Sequence, residues 1–110
     1  MASISIGQEA RELETQVRKS LSGYDLDELP REERSVLVEL KNHLVDARLD
    51  ARDYEYAQTR AEQLEAAGIG RKRLEETLQI ILKASEFGIF SAVDVAHISA
   101  GVQHLMSRMD

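Results

Sequence analysis

The stretch Arg31–Ala67, REERSVLVELKNHLVDARLDARDYEYAQTRAEQLEAA, runs about 37 residues with no Gly or Pro. Apolar residues return along it at helical spacing. Leu37, Leu40, Leu44, Ala47, Ala51 and Tyr54 make one stripe, and Val38, Val45 and Leu49 widen it toward a second side. A helix buried on more than one face is expected, continuing through Ala57, Ala61 and Leu64 as one rod over residues 31–67 or turning near Arg52 and Asp53 into a hairpin. A rod of that length would span roughly 55 Å and would need a second chain to cover it.

The segments on either side read the same way. Ile6, Ala10, Leu13, Val17 and Leu21 lie on one stripe of a helix from about Ser5 to Ser22, with Gly23 suited to the left-handed position after it. Pro30 fits the start of the next helix, Glu32 and Glu33 complement its dipole, and Leu26 and Leu29 tuck the linker onto the core. Gly68-Ile69-Gly70 reads as the clearest break, with Gly68 as a helix cap and Ile69 as its hydrophobic contact. A new helix from about Arg71 then carries Leu74, Leu78 and Ile81 beside Ile80, Ala84 and Phe87, and ends at Gly88. Ser91 is placed as an N-cap with Asp94 three residues on and Phe90 opposite Val95 as a staple. Val95, Ile98, Val102, Leu105 and Met109 follow in a narrow seam of alternating three and four steps.

The fold class expected is therefore all-α, a helical bundle of four to five helices forming a single domain over residues 1–110. With 43% apolar and 31% charged residues, the composition is that of a folded helical domain and not a disordered tail. A formal charge of −6 disfavours nonspecific binding to nucleic acid or anionic lipid. With no Cys, disulfides, thiolate zinc sites and cysteine nucleophiles are excluded. No membrane span is expected, and MASISIGQEARE lacks the basic-then-apolar order of a secretory signal. A cytoplasmic location follows, with signal-independent secretion left open.

Leu64 to Leu74, LEAAGIGRKRL, resembles the hairpin of helix-hairpin-helix DNA-binding modules. That resemblance implies that the amides of Gly68 and Gly70 face a phosphate, with Arg71, Lys72 and Arg73 beside it. Three cations at a helix start oppose the macrodipole, so they serve a ligand or are neutralised by Glu62 and Glu65. The negative overall charge favours the plain capped turn, and nucleic-acid or anion binding stays the alternative. Leu44 and Asp53-Tyr54-Glu55-Tyr56-Ala57 resemble parts of a tetratricopeptide hairpin, with Gly88-Ile89-Phe90 at the matching place about thirty-six residues later. That resemblance implies stacked helical hairpins with a concave, peptide-binding groove, although the chain has room for fewer than the three repeats usual for stability.

No catalytic constellation emerges. Asp94, His97 and His104 share a helix face, but two His seven residues apart lie about 10 Å apart along the axis, too far for one zinc, so surface histidines are the better reading. Neither a metal nor a cofactor is expected. Glu32-Glu33 and Glu75-Glu76 are adjacent pairs that diverge on a helix. Gly101, after Ala100, permits close approach of another backbone, from this chain or a partner's. The function expected is a non-catalytic protein-protein interaction module, an adaptor, chaperone or regulatory subunit, working with a protein partner or as a homodimer. Its contact residues would be Leu13, Val17, Ile98, Gly101, Val102, Leu105 and Met109.

Overall fold

The computed structural model describes residues 5–109; residues 1–4, part of the segment read above for a secretory pattern, lie outside it. Helix α1 is Ile6–Ser20, α2 is Arg31–Glu55, α3 is Arg60–Glu86 and α4 is Ala92–Arg108. A 3-10 turn at Leu26–Glu28 lies in the α1–α2 linker, and no strand occurs among the described residues. Ser5 caps α1 by accepting from the Gln8 amide, and the linker's Tyr24 hydroxyl donates to the Ile89 carbonyl. Gly23 does not adopt the left-handed conformation expected of it; Leu21 closes α1 in a right-handed turn instead.

The long central stretch is a hairpin, and its break lies at residues 56–59. Thr59 is extended, and its hydroxyl accepts from the Glu62 amide at 3.1 Å. Glu62 reaches back to accept from the Gln58 amide at 3.0 Å, a reciprocal arrangement close to a capping box. The turn expected at Gly68-Ile69-Gly70 does not exist, because α3 runs through it without interruption. Each glycine costs the helix about 1 kcal/mol relative to Ala. At Gly70 packing explains the small residue: a Cβ there would sit 2.9 Å from Met109 Sδ. Nothing approaches the Cβ position of Gly68, and the structure gives no packing reason for it.

The Gly-Ile cap is found instead at Gly88-Ile89. Gly88 has φ +75°, its amide donates to the Ser85 carbonyl, and the Ile89 amide donates to the Ala84 carbonyl. These two bonds define a Schellman motif, with buried Ile89 and Ala84 as its hydrophobic pair. Ser91 then caps α4 through the Asp94 amide as its spacing implies, and Phe90 and Val95 both pack on the core.

Helices α1 and α3 each pack against both α2 and α4. Glu14 meets Arg48, Asp50 meets Arg73, Gly70 meets Met109 and Glu9 meets Arg108, so every neighbouring pair is antiparallel. The result is an up-down-up-down four-helix bundle of 46 × 29 × 19 Å around one core. Leu37, Leu40, Leu74, Ile81, Ile98 and Leu105 are among its fully buried side chains. Burying such a side chain is worth about 1.5–3 kcal/mol relative to leaving it exposed. Helix α2 buries one broad face and not two: Val38 and Leu49, expected to widen the buried stripe, are 47% and 46% exposed. Residues 60–69 of α3 project past the end of α4, because Met109 already lies against Gly70.

Candidate partner-binding surface

The seam expected to meet a partner is spent inside the chain. Leu13, Val17, Ile98, Val102, Leu105 and Met109 are all buried in the common core. The stripes of α1 and α4 fill each other, and Gly101 is the crossing point: a Cβ there would lie 3.0 Å from Leu13 Cδ1. Two complementary stripes on one chain meet at a high effective concentration, so the close approach that Gly101 permits is made by the same molecule.

The basic cluster is redistributed as well. Gly68, Gly70, Arg71, Lys72 and Arg73 lie well inside α3, where backbone amides donate to carbonyls four residues earlier. No amide cradle for an anion forms there. Arg73 turns inward, donating to Asp50 Oδ2 and lying 3.4 Å from Asp46. The hydrogen bond to Asp50, with both aspartate charges, holds its guanidinium pKa above the ordinary value against a smaller opposing effect of burial.

Other charged groups also tie helices together. Buried Glu14 is held by Arg18 at 2.7 Å and by Arg48 at 3.5 Å. Glu9 accepts from Arg108 at 2.6 Å, and its second oxygen lies 2.9 Å from His104 Nε2 without the geometry of a good hydrogen bond. His43 contacts the Glu39 carbonyl at 3.0 Å and Glu76 at 3.2 Å, while His97 is exposed. Among the described residues no group of three or more His, Asp or Glu is arranged to hold a metal ion, and no helix is long and apolar enough to cross a membrane.

A surface groove of about 790 Å³ lies between α1 and the C-terminal half of α2. Gln8, Arg11, Glu12 and Thr15 form its α1 wall, and Arg48, Leu49, Arg52, Glu55 and Tyr56 its α2 wall. Gly7 lets α1 approach closely, since a Cβ there would lie 3.1 Å from Glu55 Oε2. Leu49 and Tyr56 stand at the groove 46% and 67% exposed, on a line with Val38 along the side of α2 turned from the core. The Arg52 guanidinium sits 5.8 Å from the Tyr56 ring centroid, within cation-π range. Arg48 is engaged with Glu14, whereas neither Arg11 nor Arg52 forms an ion pair with a described residue.

None of the groove residues belongs to the contact set expected from sequence. The available signal was spacing: Arg48 and Arg52 are one turn apart and Leu49 and Tyr56 two turns apart, off the stripe that begins at Leu37. Leu49 instead reads as core, because an apolar residue beside a broad stripe carries no mark of which side it faces. Set against protein-family models, curated proteins and solved structures, the chain has no significant match.

Proposed function

We propose that this chain is a non-catalytic protein-protein interaction module, of adaptor, chaperone or regulatory-subunit type, working in the cytoplasm. The observation that carries this reading is the aligned set of Val38 and Leu49 on α2 and Tyr56 at its C-cap, about half or more exposed and outside the core cluster. Leu49 and Tyr56 line the groove, and apolar side chains gathered at a concavity are a common feature of surfaces that bury against a partner.

A photo-crosslinking residue placed at Leu49 or Tyr56 tests the proposal, with exposed Gln103 of α4 as control. Discrete protein adducts at 49 and 56 but not at 103, reproduced with the purified partner, are expected. Absence of adducts at the groove, or equal labelling at all three positions, overturns the reading.

A further inference from the structure

We infer that the outer face of α3 binds a second copy of this chain, antiparallel to the first about a two-fold axis level with residue 73. This face is separate from the α1–α2 groove. Leu64, Gly68, Arg71, Glu75, Leu78 and Leu82 follow one another along α3 in steps of four, three, four, three and four, the spacing of a coiled-coil seam. All but Leu78 are exposed, Leu64 by 52% and Leu82 by 50%, and Leu78 is partly buried against the core. Ala67, Leu74 and Ile81, which the core consumes, lie on another side of the helix, so the seam runs outside the bundle. Its first part stands on the stretch of α3 that projects past α4.

The order of residues selects the occupant, because the seam is complementary to itself when reversed. Leu64 is as far from residue 73 as Leu82, Gly68 as far as Leu78, and Arg71 as far as Glu75. An antiparallel copy therefore sets the partner's Leu82 on Leu64, the partner's Leu78 on Gly68 and the partner's Glu75 beside Arg71, and the axis repeats each contact. No atom of the chain lies within 4 Å of the Cβ position of Gly68, so that layer has room for a leucine, which the methyl of an Ala would not close. Arg60 and Glu86 are also equidistant from residue 73 and bring opposite charges together at each end. Lys72 and Glu76 flank the middle layers, so Arg71, Lys72, Glu75 and Glu76 leave the axis with no net charge. A parallel copy would set Arg71 on Arg71 and Glu75 on Glu75, with like charges in contact.

Light scattering after size exclusion of the full chain, from about 1 μM to about 1 mM, is expected to show twice the chain mass. Arg71→Glu and Glu75→Arg should each raise the dimer Kd at least about 10-fold, and the two together should restore it, because the swapped pair regains its match across the axis. The chain has no Cys, so introduced thiols give a second readout. Leu64→Cys mixed with Leu82→Cys should form a disulfide-linked dimer on oxidation. Neither variant should do so alone, since like positions lie about 27 Å apart along the paired helices. A monomer throughout the concentration range, a dimer indifferent to both charge reversals, a double variant that stays dispersed, or crosslinking of Leu64→Cys to itself overturns the inference. Each of these results leaves the groove reading to its own test at positions 49 and 56.

Discussion

Replacing Gly68 by Ala separates a continuous α3 from a helix broken at Gly68-Ile69-Gly70. Gly68 is exposed, lies well inside the helix and has no atom within 4 Å of its Cβ position, so the methyl group meets nothing. Ala is then favoured by its helix propensity alone, a gain of about 0.8–1.0 kcal/mol. With about 2.1 cal/mol/K of unfolding entropy per residue, a domain of this size should melt about 4 °C higher. Had Gly68 been a left-handed cap, the same methyl would cost about 1–2 kcal/mol, so the two arrangements differ in sign and by about 2 kcal/mol. Urea unfolding of wild type and variant, with m held equal, reads this as a shift of several tenths molar in midpoint. Gly70→Ala is the comparator: it has the same propensity gain, but its Cβ would lie 2.9 Å from Met109 Sδ, 3.3 Å from Met109 Cε and 3.5 Å from Asp50 Cβ. The end of buried Met109 must shift to make room, and a flexible side chain does so at modest cost, so Gly70→Ala should be the less stable of the two variants by about 1 kcal/mol. A destabilised Gly68→Ala, or identical behaviour of both variants, refutes the reasoning.

Gly88→Ala should show the opposite sign, losing about 1–2 kcal/mol because φ +75° is costly for any residue with a Cβ; calorimetry would record the lowered midpoint. A double-mutant cycle on Asp50→Asn and Arg73→Met should give a coupling of roughly 1–2 kcal/mol across the α2–α3 interface. Because the folded-state pKa of Arg73 is raised, the stability tied to its proton is present below the unfolded Arg range and is lost only as pH rises through the folded value. The Arg73 contribution should therefore stay flat in urea melts from about pH 6 to 10, and a fall across that window would exclude the paired guanidinium as its source.

Local chemistry was legible wherever one residue type has one geometric use. Ser91 as an N-cap, Gly88 as the end of α3 and the apolar stripes of all four helices follow from hydroxyl hydrogen bonding, left-handed backbone and a 3.6-residue period. The α2–α3 turn was also written locally, in Thr59-x-x-Glu62, but Gly68-Ile69-Gly70 carries a competing signal. Glycine permits a break without requiring one, and the helix continues because α3 packs along α2, with Met109 of the α4 end seated over Gly70.

Periodicity sets which side chains of a helix share a face; it does not say what covers that face. Leu13, Val17 and the α4 seam are apolar stripes that a partner or another segment of the same chain could fill, and chain connectivity brings α1 and α4 together. Once those stripes close on each other, Leu49 and Tyr56 are left outside, and Arg11 joins Arg52 across a groove from a position forty-one residues away in sequence. Helix positions and most caps thus follow from short-range backbone and side-chain preferences in the amino-acid sequence. The groove exists only after long-range packing has decided which apolar faces are consumed in the core.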